Sequence, residues 1–547
     1  GANAGVSGIS IRGAESIIIP NSPGVHVTSD NVTVNGFKIV GGDDGIYVES
    51  ADNVSIINNI VEDSNDNGIR VVSSANVSIK KNKVSGADEN GVSIEGSASA
   101  VIARNAVAVS GQDGISVNDS NGAKIVENNV VDSEDDGIDV QGGQNVEIKR
   151  NTVSYSGDNG VEVSGGYRTN ISGNLIALSD NNGIDVDQGI ETDIKRNVVG
   201  VSQENGIYVN QGQNIDIKKN TVTSSADDGI QVANTLGANI NNNIVIGSSD
   251  DGIDVENSFG IDIKRNEIEQ SGENGIDVYG NGDVEIKRNQ VLGSAYNGIK
   301  LLDSYGAQIN LNIVGFSGDD GIDVDEGFGV DIKRNIVGFS GDDGIDVNES
   351  GDVKINRNLV IGAADNGIEV SDSNGTDIKR NAVGFVGNNG ISVDGSDELD
   401  IIGNIVTQTG GNGIMVSNGN DIFIRTNQIS ETGDDGIDLN YVEFADVVEN
   451  EISNAGDDGI DVDYGDDILI AENDVTESNE DGVSINGSGG IFIYNNTISQ
   501  SGDDGIDVEN TGFVDILENT ITESEDDGVD IYATSYSIVA NNEISDS

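Results

Sequence analysis

Three carboxylates recur around one glycine along this sequence. The heptapeptide GDDGIDV occupies residues 318–324, 341–347, 456–462 and 502–508. Carboxylate and carbonyl oxygens are the ligands that Ca²⁺ prefers in proteins. We therefore predict that Ca²⁺ is ordered on part of this acidic face, and the candidate ligands are Asp319, Asp320, Asp323, Asp342, Asp343, Asp346, Asp434, Asp435, Asp438, Asp457, Asp458, Asp461, Asp503, Asp504 and Asp507. The alternative interpretation is a hydrated surface whose charge dissolved salt screens.

The acidic positions of the motif favour different roles when they are numbered from its glycine as zero. Asp or Asn stands at −1 in every repeat, and both residues tolerate a left-handed backbone and bond to nearby backbone, as turns require. Asp at +2 is expected to point outward from a strand, where like charges on neighbouring strands repel one another. The +2 position therefore favours a bound counter-ion, whereas −1 favours a turn.

One set of residues in consecutive repeats has the types that acid–base catalysis uses. Asp277, Lys300 and Asp323 all occupy +2, so a lysine lies between two aspartates. A lyase that combines Ca²⁺ with a lysine base has this arrangement. The interpretation we favour is a salt bridge between neighbouring strands.

Composition and charge exclude several functional classes. The chain has 547 residues, a formal net charge of −69, one histidine and no cysteine. Disulfides, thiolate metal sites and a cysteine nucleophile are therefore excluded. Phosphate and carboxylate repel, so nucleic acid is not an expected partner. No apolar run approaches the length of a transmembrane helix, and we expect no membrane insertion.

The motif belongs to a repeat of 23 residues. The glycine recurs at this spacing from Gly45 to Gly528 without insertion or deletion, which makes 22 repeats. Positions +1, +3, +11 and +16 carry Ile, Val or Leu, and the apolar residues alternate as they do in strands. A repeat this short cannot bury its own apolar face, so neighbouring repeats must stack. The sequence predicts an all-β parallel solenoid of about 22–23 coils.

The repeat also predicts the domain organisation and three rows of side chains. We expect one continuous domain over 24–547, preceded by a partial coil at 1–23. Asn stands at +14 in every repeat and predicts an inward ladder of amides. Lys and Arg at +12 and +13 are expected to pair with nearby acids, and they cease after Arg425. Aromatic residues at +18 are expected to fill a corner of the coil; they are Tyr155, Phe316, Phe339 and Phe385.

The unit GIDV…NVEIKRNTV resembles the repeat of right-handed parallel β-helix proteins, a superfamily that includes pectate lyases, polygalacturonases and mannuronan epimerases. The resemblance covers residues 24–547 and implies the right-handed form of the solenoid. It stops at the scaffold, because the single histidine, His26, lies in GVHV and not in the Gly-His-Gly motif of polygalacturonases. The resemblance alone therefore implies a fold and no activity.

A chain built of scaffold without long loops favours a structural function. We expect a secreted or cell-surface protein that stacks end to end with copies of itself into a filament, with Ca²⁺ or salt balancing its charge. Cell-surface polysaccharide is a further expected partner. The alternatives are a polysaccharide-active enzyme, lyase-like or epimerase-like, and a monomeric adhesin stalk.

Overall fold

The structure is a computed structural model that describes residues 2–4, 10–12, 17–18, 22–545 and 547. The chain divides into two compact units, Gly1–Glu273 and Asn274–Ser547, and each is a right-handed parallel β-solenoid. The described residues of each unit form 36 strands and no helix. Three strands make one turn, so each unit has twelve turns. The predicted fold class is confirmed.

The first sheet carries the glycine motif and its strands run from +1 to +4. In the first unit its strands are Ala2–Ala4, Val25–Val27, Ile46–Glu49, Ile69–Val72, Val92–Glu95, Ile115–Asn118, Ile138–Gln141, Val161–Ser164, Ile184–Asp187, Ile207–Asn210, Ile230–Ala233 and Ile253–Glu256. In the second unit they are Ile276–Tyr279, Ile299–Leu302, Ile322–Asp325, Ile345–Asn348, Ile368–Ser371, Ile391–Asp394, Ile414–Ser417, Ile437–Asn440, Ile460–Asp463, Val483–Asn486, Ile506–Glu509 and Asp530–Tyr532.

The second and third sheets complete each turn. A strand of the second sheet spans +10 to +12, as in Asp331–Lys333, or begins at +7, as in Gln213–Lys218. A strand of the third sheet spans +15 to +17, as in Ile336–Gly338, or extends to +19, as in Thr221–Ser225. The second sheet runs from Ser10–Arg12 to Phe259–Lys264 and from Gly282–Lys287 to Ser537–Ala540; the third runs from Ile17–Ile18 to Glu267–Glu269 and from Gln290–Leu292 to Glu543–Ser545.

Strands pair in parallel with a register of 23 residues. Asp323 lies opposite Asp346, and Ile322 lies opposite Ile345. Each Ile or Val of the core therefore stacks on the same position of the next turn and is removed from water. Much of the predicted partial coil at 1–23 lies outside the described residues, and the single-domain prediction stays a prediction.

The repeated glycine is required by the close stacking of turns. A Cβ on Gly321 would lie 2.5 Å from the backbone oxygen of Gly344 in the next turn. No side chain fits at this distance, so the glycine is needed for space and not for a left-handed backbone. Two adjacent turns can approach closely here only because both lack a side chain.

The asparagine ladder at +14 is confirmed. The backbone N–H of Asn335 donates to Asn358 Oδ1 at 2.9 Å, and Asn335 Nδ2 donates to the same oxygen at 3.1 Å. Asn335 Nδ2 also donates to the backbone oxygen of Ile309 at 2.9 Å. The buried amides thus satisfy the polar backbone of the bend between the second and third sheets.

The charged and aromatic rows gave mixed outcomes. The prediction for the lysines at +12 is confirmed, since Lys333 pairs with Asp331 and Lys379 pairs with Asp377. The prediction that the +18 aromatic residues fill a corner is wrong. Phe316 is 63% exposed and stacks outside the coil on Phe339, with ring centroids 5.2 Å apart. The left-handed backbone at +18 (φ 58° at Phe316) turns the side chain outward.

Candidate cation-binding site

The acidic groove is our name for the outer face of the first sheet together with the turn residues before it, positions −2, −1 and +2. Its floor is a ladder at −1. The backbone N–H of Asp343 donates to Asp320 Oδ1 at 2.9 Å, and that of Asn366 donates to Asp343 Oδ1 at 2.6 Å. The expectation of a left-handed backbone at −1 is wrong, because these carboxylates bond to the next turn and left-handed residues lie elsewhere, as at Arg334 (φ 55°).

The +2 carboxylates point outward, yet the flanking turn covers most of their surface. Burial raises the pKa of Asp323 to about 6, although Lys300 on the neighbouring strand lowers it. Burial raises the pKa of Asp346 to about 8, and the charges of Asp320 and Asp323 raise it further. Burial also raises the pKa of Asp320, to about 7. These groups are crowded carboxylates that lack sufficient positive charge.

The same arrangement repeats near the end of the second unit. Burial raises the pKa of Asp435 to about 7, that of Asp438 to about 6, that of Asp458 to about 8 and that of Asp461 to about 7. Nearby aspartates raise each value further. Asn412 Nδ2 donates to Asp438 at 2.9 Å and partly offsets the effect. A divalent cation would neutralise several of these charges at once.

The predicted ligands come together across turns as well as within one motif. Oxygens of Asp319, Asp320 and Asp342 lie within 4.8 Å of one another, which joins −2 and −1 of one turn to −2 of the next. Asp343, at −1, is buried and bonds within the ladder. In the last predicted motif Asp504 Oδ1 accepts the backbone N–H of Asp527 at 2.7 Å, and burial raises the pKa of Asp507 to about 6. Asp434, Asp457 and Asp503 occupy the −2 positions beside their −1 partners.

The first unit contains a denser group of carboxylates. Oxygens of Asp113, Asp135 and Asp136 lie within 4.8 Å of one another, and so do those of Asp136, Asp158 and Glu162. Burial raises the pKa of Asp136, and the hydrogen bond and charge of Glu162 raise it further. Asp136 belongs to both groups, so the two form one continuous acidic cluster.

Asp139 lies beside this cluster and has an unsatisfied oxygen. The residue is only 3% exposed. Asp139 Oδ2 accepts the Ser116 hydroxyl at 3.3 Å, whereas Asp139 Oδ1 is buried without a hydrogen-bond partner. Burial raises the pKa of Asp139 to about 7, and the charges of Asp113 and Glu162 add to the effect. A buried oxygen of this kind is costly unless a proton or a cation satisfies it.

This cluster was outside the predicted set of metal ligands. Its sequence, EDDGIDV at 134–140, repeats the predicted motif with Glu in place of Gly at its first position. Glu162 at +2 of the next turn adds the further carboxylate. A search for consecutive turns with acids at both −1 and +2 would have found it.

The candidate catalytic residues lie on consecutive strands. Asp277 is in register with Lys300, and Lys300 is in register with Asp323. Asn274 Nδ2 donates to Asp277 at 2.9 Å, and Asn297 Nδ2 donates to Asp323 at 2.8 Å. The structure thus brings the three residues together, with amides orienting both carboxylates.

The sequence matches the family described as "Right handed beta helix region" over residues 2–131, 90–237, 205–360, 274–429, 343–467 and 435–547. The chain belongs to the right-handed β-helix family. No curated protein matches the sequence. Within the part of the chain that the structure describes, no helix has the length and apolar character to cross a membrane.

Several solved structures resemble this β-helix protein in fold. A mutant of the periplasmic alginate epimerase AlgG is 13% identical, with 58% of this chain and 77% of that chain covered and a TM-score of 0.35. The Dettilon tailspike protein is 16% identical over 55% of this chain and 62% of its own, with a TM-score of 0.36. The A-module of the Azotobacter vinelandii mannuronan C-5 epimerase AlgE6 is 13% identical over 74% and 90%, with a TM-score of 0.26. At these identities the resemblance concerns the fold alone.

Proposed function

We propose that this protein is an extracellular structural β-solenoid whose acidic groove binds Ca²⁺. The observation that carries the proposal is the buried, unpartnered Asp139 Oδ1 beside the carboxylates of Asp113, Asp136 and Glu162. Oxygen ligands at a density of several carboxylates per turn suit Ca²⁺, which takes six to eight oxygens in flexible geometry. Binding would remove the repulsion that raises the pKa of these groups.

Calcium titration followed by calorimetry tests the proposal. We expect heat of binding with Ca²⁺ at pH 7 and weaker binding for Asp139→Asn, which retains the size of the side chain and removes its charge. Asp132→Asn is the matched control, because Asp132 is exposed in the same unit. Equal binding by Asp139→Asn and the unaltered protein would exclude the Asp139 site. Absence of any binding heat at millimolar Ca²⁺ would overturn the proposal as a whole.

End-to-end stacking of copies into a filament is the second part of the proposal. Negative-stain electron microscopy of the purified protein, first with Ca²⁺ and then with EDTA, tests it. Long uniform filaments that shorten in EDTA would support both the stacking and the role of the ion. Single particles in both conditions would refute the stacking and leave the calcium proposal to the calorimetry.

A polysaccharide-active enzyme, lyase-like or epimerase-like, is the second candidate. The observation that favours it is Lys300 between Asp277 and Asp323, with the pKa of Asp323 raised by burial to about 6. The protein would then release unsaturated products from polyuronates, or exchange their C5 protons with solvent. Lys300→Met should abolish either activity and leave calcium binding at the first-unit cluster intact. Polyuronates unchanged by the unaltered protein would remove this candidate.

A further inference from the structure

The +13 row of the second unit contains arginines in its first half and glutamates in its second half. Arg334, Arg357 and Arg380 occupy +13 in three consecutive turns, and all three are exposed. In later turns the same position carries Glu449, Glu472 and Glu518. The residues between the two halves are Gly403 and Thr426. We call these residues the charged strip.

The backbone holds the charged strip away from the solenoid. Arg357 has φ 55° and Glu472 has φ 57°, so both halves adopt the same left-handed conformation. The inward asparagine ladder follows at +14. Exposed apolar side chains then flank the strip at +15, among them Ile336, Leu359 and Ile405, which is 50% exposed. The strip and this flank form one outward surface.

Other basic residues of this protein are neutralised within the chain, in contrast to these arginines. Glu127 in the +13 row of the first unit accepts Arg104 at 2.6 Å and Arg150 at 2.8 Å. Side chains at +13 can therefore reach the next turn. Among the described residues of the second unit, no carboxylate lies within 4.0 Å of the Arg334, Arg357 or Arg380 guanidinium, a distance at which ion pairs form.

Each half of the charged strip is a row of like charges on adjacent turns. Like charges directly opposite on neighbouring strands destabilise a sheet. Arginine cannot lose its proton to relieve the repulsion. The glutamates have the opposite charge and the same spacing, but they lie in other turns. The two halves are thus complementary to each other and cannot meet within one chain.

We propose that two copies of this chain associate side by side, antiparallel, through their charged strips. A twofold axis between Gly403 and Thr426 places Arg380 opposite the partner's Glu449, and Arg357 opposite the partner's Glu472. Symmetry repeats both pairs, because a twofold interface is self-complementary. Arginine and carboxylate then form charge-assisted hydrogen bonds, and the small Gly403 lets the two surfaces approach at the axis. This lateral contact rests neither on Ca²⁺ binding nor on end-to-end stacking.

Charge reversal tests the proposal by sedimentation velocity in EDTA. The unaltered protein should form a dimer at low ionic strength and dissociate at high salt, because salt screens surface charge. Both R357E/R380E and E449R/E472R should weaken self-association by on the order of 100-fold or more. An equimolar mixture of the two variants should dimerise, since one strip is then wholly acidic and the other wholly basic. Arg196→Glu, an exposed +13 residue of the first unit, is the control and should behave as the unaltered protein does.

The remaining outcomes would overturn the proposal. A protein that is monomeric at low salt excludes the contact, and so do variants that associate as the unaltered protein does. A mixture of correctly folded variants that stays monomeric excludes the pairing of the two halves. If the unaltered protein is monomeric and binds a soluble polyuronate in a way that R357E/R380E abolishes, the arginines serve an anionic polymer and not a second copy.

Discussion

Raising the pH without divalent cations should destabilise this protein. Burial raises the pKa of Asp461 from 3.8 to about 7, and neighbouring aspartates add to the shift. The folded state therefore binds the Asp461 proton more tightly than the unfolded state does. Its contribution to stability is complete below pH 3.8 and is lost as the pH rises through about 7. A pKa difference of about three units corresponds to about 4 kcal/mol at most for this group.

Neighbouring groups extend the effect. Burial raises the pKa of Asp458 to about 8 and that of Asp435 to about 7, so the window of lost stability runs from about pH 4 to pH 8. The shifts are not additive, because these carboxylates titrate together. The expected total between pH 5 and pH 8 is several kcal/mol. Most proteins lose stability in acid by titrating paired carboxylates, so the expected direction is the reverse of acid denaturation.

Urea unfolding followed by tyrosine fluorescence measures the effect, since the chain has 12 tyrosines and no tryptophan. In EDTA the urea midpoint should fall from pH 5 to pH 8. Millimolar Ca²⁺ at pH 8 should restore it, because a ligand that binds the folded state stabilises it. Asp461→Asn should raise the midpoint at pH 8 in EDTA and change it little at pH 5. A midpoint in EDTA that is constant or rises with pH would refute the reasoning.

Two further substitutions test the packing of the turns. Asn335→Ala removes the acceptor of the Asn312 backbone N–H, now at 2.9 Å, and should cost about 3 kcal/mol; hydrogen exchange at that amide should accelerate about 100-fold, whereas Arg334→Ala should leave it unchanged. Gly321→Ala places a methyl group 2.5 Å from the Gly344 oxygen and should separate the two turns, which would appear as a urea midpoint lowered by more than that of Asn335→Ala.

The repeat predicted the fold because its apolar positions and its register are one pattern. Ile322 and Ile345 occupy the same position of successive turns, and the solenoid follows from stacking them. The amides of Asn335 and Asn358 were predictable for the same reason. Position in a period decides which face a side chain takes.

Depth below the surface was not predictable in this way. Asp139 and Asp346 were expected to point outward, and they do, but the adjacent turn covers them. Their burial depends on how the −2 and −1 residues of each turn lean over the sheet, which the periodicity does not encode. Phe316 illustrates the opposite error, because a left-handed residue at +18 exposes a ring that its apolar character assigned to the interior.

The constant register of 23 residues has a consequence for changes in chain length. Removing one whole turn, such as 321–343, would bring Gly298 onto Gly344 and join every ladder again. Removing 22 or 24 residues would displace each strand by one position and turn its apolar side chains toward water. Length in this protein is therefore quantised, and insertions or deletions within the stacked turns should be tolerated in whole turns.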